Sequence, residues 1–229
     1  MMARRGVLGL LAGGAVALLS GCSPFVRNYS YRYKITVEVV TPQGLKSAYA
    51  VHETLVSNSN IDLGELSGKR GMRTRGEAVA VDLPGGQVLF ALVPRDTLVQ
   101  SVLDPEWKND WVASAQKISG GDTPQGPIAM NVPSYPILVR FRDINDPKTV
   151  EEVDPADLAA SFGAGFKLKR ITVEVTDEKM TVGIGELLGW LNQYRNRQLA
   201  GNRFPILNKP KNDIGVRLSA GSFSTELGK

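Results

Sequence analysis

The chain has 229 residues, 42% of them hydrophobic and 22% charged, with 24 Gly, 13 Pro, one Cys and one His. This composition excludes disordered, collagen-like and polytopic membrane proteins, and one Cys with one His supplies neither an intramolecular disulfide nor a Cys/His zinc site. The length suits one domain, or two small ones, with a substantial core.

The N-terminus carries the clearest signal. Arg4-Arg5 precede an uncharged stretch from Gly6 to Leu19 that closes in Leu19-Ser20-Gly21-Cys22. About 14 apolar residues fall short of the roughly 20 that a permanent span needs, so residues 1–21 read as a cleaved export signal. The closing tetrapeptide resembles the lipobox of bacterial lipoproteins, where small residues admit a peptidase that cuts before a diacylglycerol-bearing cysteine. The resemblance implies lipid attachment at Cys22 and a membrane partner through the acyl chains. The arginine pair also resembles a twin-arginine signal, although Ala3 stands where a polar residue is usual, so Sec and twin-arginine export both stay open. Ser23, rather than Asp, follows the cysteine, which in such lipoproteins favours the outer membrane over the inner. The expected location is the bacterial envelope, facing the periplasm.

Loss of Arg4 and Arg5 with the signal leaves 25 Lys+Arg against 23 Asp+Glu, a formal charge of +2 in place of +4. A balance this even gives no support to nucleic acid as a partner.

Residues 22–30 lack periodicity and read as a tether, with a single domain over 31–229. Ile35, Val37 and Val39 alternate with polar neighbours, as in a strand. After the turn residues Pro42-Gln43-Gly44, Leu45, Tyr49, Val51 and Leu55 fall at period two on one face of a second extended run, which predicts a hairpin. Ser57 to Gly76 reads as a long loop. Two runs, Ala78–Val81 and Val88–Val93, flank Pro84-Gly85-Gly86 and predict a second hairpin whose later strand is buried on both faces. Asp104-Pro105-Glu106 resembles a helix start leading through Trp107, Trp111, Ala115 and Ile118 to Gly120, with the two tryptophans as core anchors.

Four prolines between Gly121 and Pro136 predict a surface loop, and Ile137–Phe141 a strand. Asp154-Pro155 predicts the start of a short helix ending at Gly163; Leu168–Thr176 reads as a strand. Ile184, Leu187, Leu188 and Leu191 form a helical stripe continuing to about Leu199, and Gly215–Phe223 suits a last strand. The expected class is α+β, a mainly antiparallel sheet built from hairpins with about three helices.

The pentapeptide Ile35-Thr36-Val37-Glu38-Val39 recurs as residues 171–175, which suits equivalent places in one sheet or coincidence better than duplication. The stretch from Asp146 to Leu191, including Asp154-Pro155-Ala156-Asp157 and Ile171-Thr172-Val173-Glu174-Val175, resembles a poorly characterised proteobacterial family. The resemblance implies no activity.

Candidate chemistry is sparse. His52 lies within a strand, without a Gly-x-Ser-x-Gly elbow elsewhere, and reads as a structural or surface residue. Asp143-Ile144-Asn145-Asp146 starts like a calcium loop, but Pro147 and Lys148 interrupt it; Glu151-Glu152 point to opposite faces of a strand. Gly183-Ile184-Gly185-Glu186-Leu187-Leu188-Gly189 has its third glycine one residue late for a dinucleotide loop. Tyr194, Arg195 and Arg197, with Arg203 and Phe204, interleave cations and aromatics and form a candidate face for an anionic polymer or an envelope protein, against the plainer reading of a solvated helix end. Lys69, Arg70, Arg73 and Arg75 form a second basic cluster. No catalytic, cofactor or metal residues are assigned. The expected function is a lipid-anchored envelope domain that binds or scaffolds without catalysis; the alternatives are an enzyme acting on cell-wall or envelope substrates and a subunit of a trans-envelope assembly.

Overall fold

Odd-numbered residues from Tyr31 to Val39 are all buried, and this alternation sets the face of the first sheet. The computed structural model describes residues 26–59, 71–202 and 213–227. Strands β1 (Val26–Thr41) and β2 (Gly44–Ser59) form one long hairpin, followed by β3 (Gly71–Arg75), β4 (Val79–Leu83) and β5 (Gln87–Ala91). Helices α1 (Asp96–Leu103) and α2 (Trp111–Ser119) lead to β6 (Ile128–Ala129), β7 (Leu138–Phe141) and β8 (Val150–Glu152). Helix α3 (Leu158–Phe162), β9 (Lys167–Val175) and two one-turn helices, α4 (Ile184–Leu187) and α5 (Ile214–Arg217), complete the order. One sheet runs β3-β2-β1-β9-β6 and the other β4-β5-β7-β8, and every pairing is antiparallel. The α+β class is therefore the fold.

The two pentapeptides sit side by side in the five-stranded sheet. Ile35 pairs with Val173 and Val37 with Ile171, with Thr36 opposite Thr172, so each strand offers its neighbour the same alternating surface.

The sheets stack with hydrophobic layers on both faces of the second. Val79, Val81, Leu83, Leu89 and Ala91 join the first core with Ile35, Val37 and Val39, closed by Val99 and Leu103 of α1, Ala115 and Ile118 of α2 and Phe162 of α3. On the opposite face Phe90, Leu92, Val139 and Val150 meet Leu188, Trp190, Leu191, Leu218 and Phe223 from the C-terminal segment. This is why β5 is apolar on both faces, as expected.

Several expectations are corrected. Leu45, Tyr49, Val51 and Leu55 share one face of β2 as expected, and the buried face is the other, even one, because Ile35 pairs with Ala50, Tyr33 with His52 and Tyr31 with Thr54, and paired residues share a face. Leu45, Tyr49 and Leu55 point outward and are exposed, whereas Val51 is covered by residue 181: its N–H donates to Thr181 Oγ1 and its carbonyl accepts from Thr181 N. The expected loop from Ser57 to Gly76 begins with the end of β2 and closes with β3.

Asp104 ends α1 rather than starting a helix, and its carboxylate binds Lys117 Nζ at 3.0 Å. Asp110 starts α2 by accepting from the N–H groups of Val112 and Ala113, which leaves Trp107 in the connection. Asp157, not Asp154, caps α3, which Gly163 ends as expected, with φ of 104°. The stripe after Gly183 makes one turn of helix and a 3-10 turn (Leu191–Tyr194), and residues expected as a last strand fold as α5 and a 3-10 turn (Ala220–Ser222). Glycines at 185, 189, 215 and 221 disfavour regular continuation, and burial against the second sheet holds these irregular turns in place.

Phe90 is fully buried and meets the edges of Phe141 and Phe223, with ring centroids 5.6 and 5.8 Å away. Phe90→Ala is expected to lower unfolding free energy by about 3–5 kcal/mol, read from urea denaturation followed by tryptophan fluorescence.

Candidate functional site

The chain's one histidine lies at the junction of the two sheets. The register of β2 turns His52 inward, where it is 1% exposed and stacks on Tyr33 with ring centroids 5.2 Å apart and planes 15° from parallel. Gly76 packs on the other side of the ring: a Cβ there would approach His52 Cδ2 to 2.6 Å, and φ of 140° already favours glycine. Neither imidazole nitrogen makes a hydrogen bond of good geometry, although the backbone of Glu77 and Ala50 lies close enough to favour the protonated ring slightly. Desolvation dominates and pushes the pKa down to about 4, so the ring is neutral at neutral pH. Beside it on the inner face, the Thr54 and Thr74 hydroxyls pair at 2.9 Å.

The next residue, Glu77, is also buried, and its two carboxylate oxygens clamp separate pieces of the C-terminal half. Oε2 accepts from Ile184 N at 2.9 Å and Oε1 from Ser224 Oγ at 3.2 Å. Gly76 accepts from Thr225 N and donates to Thr225 Oγ1, and Ala78 N donates to the Phe223 carbonyl. Arg75 completes the junction with Glu226 at 3.0 Å and Glu53 at 3.1 Å. Residues 75–78 therefore act as a backbone seam that holds the C-terminal segment. In this arrangement His52 is a packing residue and Glu77 an anchor.

The other candidates are placed as follows. Cys22, Arg203, Phe204, Lys69 and Arg70 lie outside the described residues. Tyr194 does not present a free ring: it packs on Trp190 edge-to-face at 5.7 Å, and Trp190 itself donates from Nε1 to the Ile144 carbonyl. Arg195 and Arg197 are exposed beside it. Arg73 is exposed on β3, whereas Arg75 is committed to the seam. Asp143 and Asp146 spend their carboxylates on the turn, accepting from Asn145 N and Lys148 N. Glu151 binds Arg140 and Arg142, and Glu152 binds Arg217, as opposite faces of β8 require. No cluster of three or more metal-ligating side chains occurs among the described residues.

Sequence reasoning missed two features. Glu77 gave no sign of burial, because its partners lie 107 and 147 residues away. The second is a polar cleft of about 420 Å³ where β9 stops, between Ser30–Arg32 and Thr123–Gly126. No sequence signal marked it, because β1 extends to Val26 through residues that read as a tether.

Comparison of the chain with protein-family models, with curated proteins and with solved structures returns no match.

The His52 pKa sits below its unfolded value of about 6.5, so the unfolded chain binds the extra proton more readily. Its contribution to stability is complete above about pH 6.5 and is lost as pH falls toward about 4, amounting to about 3 kcal/mol at the lower end. His52→Phe keeps the stack on Tyr33 and is expected to flatten the urea-denaturation midpoint between pH 6.5 and 4 relative to wild type. A midpoint that falls equally in both proteins would assign the acid sensitivity to the carboxylates instead.

Proposed function

We propose that the chain is a lipid-anchored protein of the bacterial envelope that works by binding and holds its folded domain close to the membrane surface. The observation that carries this reading is the spacing between the lipobox-like Leu19-Ser20-Gly21-Cys22 and the first strand. Strand β1 begins at Val26, inside the stretch expected to be a tether, so four residue steps separate it from the cysteine. Such a segment reaches at most about 14 Å. Acyl chains on Cys22 therefore hold the open end of the β1–β2 hairpin at the lipid surface, with the hairpin turn at Pro42-Gln43 at the opposite end of the strands. Two or more chains on one cysteine give stable anchoring where one is marginal. Among the described residues no helix is long and apolar enough to cross a membrane.

The binding reading, in preference to catalysis, draws on how the ionisable groups are used. His52 is stacked and desolvated, Glu77 holds backbone and hydroxyl groups, and Arg75, Lys34 and Glu38 are engaged in ion pairs. Lys34 is held well above the usual lysine range by hydrogen bonds to Glu178 and Glu174, and Glu38 below the usual carboxylate range by Arg170. These pairs fix the outer face of the first sheet.

Metabolic labelling with a clickable fatty acid tests the anchor. Wild-type protein is expected to take up label and fractionate with membranes, and Cys22→Ala to lose both. Label retained by Cys22→Ala overturns the assignment.

A further inference from the structure

We propose that the polar cleft at the end of β9 is a docking slot for one extended polypeptide segment of an envelope partner, which adds to the open edge of β1 as a strand in the place that β9 leaves. The proposal deepens the binding reading, but it does not depend on the acyl anchor.

Sheet order and register define the slot. Strand β9 lies between β1 and β6 and leaves the sheet after Val175 paired with Tyr33, with Thr176 N donating to the Arg32 carbonyl as the last backbone bond to β1. Strand β1 continues beyond this point to Val26, and among the described residues it pairs there with β2 alone. On the far side Ile128 pairs with Val173, and the chain before it bends at Gly126, with φ of 77°, and at Thr123, so that it walls the space beyond Val175 as a loop. The backbone of β1 thus runs on past the end of the strand that paired with it, and this loop faces it across the cleft. A strand added to β1 lies about 4.8 Å from it, in the place that β9 leaves. The cleft of about 420 Å³ lies there, with Ser30 and Arg32 on one flank, Thr123 and Gly126 on the other, and Ser119 at the end of α2 among its lining.

Backbone chemistry selects the occupant. Antiparallel pairing alternates, and with Arg32 and Lys34 bonded toward β9, the N–H and C=O of Ser30 and Asn28 also point to that side. Among the described residues nothing pairs with them there, and both residues are exposed. An open edge of this kind is satisfied by another strand, and strand addition is an established mode of peptide recognition. Asn28 to Arg32 offers length for about five residues at about 3.4 Å each. The lining is polar and carries both Arg32 and Asp177, which suits a polypeptide backbone better than a lipid chain or a polyanion. Tyr29 Oη donates to Gln116 Oε1 at 3.0 Å, tying this part of β1 to α2 and keeping the edge preformed.

The test uses a phage-displayed library of random seven-residue peptides selected on the intact chain, with the enriched sequences then made synthetically. Bound peptide is expected to slow amide hydrogen exchange at Asn28 and Ser30. Ser119→Trp, which fills the slot from an exposed helix end, and Ser30→Pro, which deletes one open N–H, are each expected to lower affinity about tenfold or more. Urea denaturation of both variants establishes that they fold, and Ser119→Trp alone carries the test if Ser30→Pro does not. Failure to enrich any sequence, equal binding to Ser119→Trp, or protection confined to other amides overturns the proposal. Fatty-acid labelling at Cys22 is unaffected by each of these outcomes, so loss of the slot and loss of the anchor are distinguishable.

Discussion

The constraint on which the rest of the structure depends is that the four-stranded sheet carries a hydrophobic layer on each of its faces. Leu89 and Phe90 are adjacent and both fully buried, so their side chains point in opposite directions into two separate hydrophobic layers. One layer is supplied by the long hairpin and helices α1 to α3. The other must come from whatever chain remains, and that is the C-terminal segment from Ile184 onward. Deleting this segment would expose Phe90, Val139 and Val150 together, a contiguous apolar patch on a sheet with open edges.

That obligation explains how a segment of poor helical continuity stays ordered. Ile184–Leu187 and Ile214–Arg217 are single turns that would not survive alone. Their stability comes from Leu188, Leu191, Leu218 and Phe223 beneath them and from the polar seam at residues 75–78, where Glu77 holds Ile184 N and Ser224 Oγ. A buried carboxylate is costly without hydrogen bonds, and here each oxygen has one. His52 and Gly76 fit the same logic: a ring and a glycine in direct contact let the seam approach β2 closely.

What was legible in the sequence follows from what pairing decides. The strands of β1, β5 and β9 were readable because alternation, or apolarity on both faces, is local. Which face of β2 is buried was not legible, because Leu45, Tyr49 and Leu55 are more apolar than Ala50, His52 and Thr54, yet the register with β1 turns the latter group inward. Small Ala48 and Ala50 on that inner face suit the close packing of β2 on β4. Cap residues misled at Asp104 and Asp154, where an Asp-Pro pair makes a turn and a later aspartate caps the helix. The C-terminal turns had a helical stripe because their buried residues recur at three- and four-residue spacing, but recurrence does not specify continuity when glycines intervene. Of the candidate sites, His52 was placed in a strand and read as structural or surface, its burial being set by the register with β1, whereas Glu77 and the cleft depend on contacts between distant segments.

The departure of β9 from the first sheet has its own cause, and it links the sheet's edges. Arg32 Nη1 donates to the carbonyls of Asp177 and Glu178, and Lys34 Nζ binds Glu178 and Glu174 at 2.7 and 2.9 Å, so the chain after Thr176 is drawn across the outer face of β1. It then reaches the far edge of β2, where Thr181 pairs with both backbone groups of Val51 and covers a stretch that β3 leaves open. One edge is closed with chain that would otherwise have extended β9. The same bonds that protect β2 therefore turn the chain away from Asn28 and Ser30, with Arg32 acting from the flank of the cleft and Lys34 from the outer face of β1. An edge opened by such a built-in diversion differs from a frayed strand end, because β1 stays paired with β2 along this stretch and keeps its outward backbone groups in strand register.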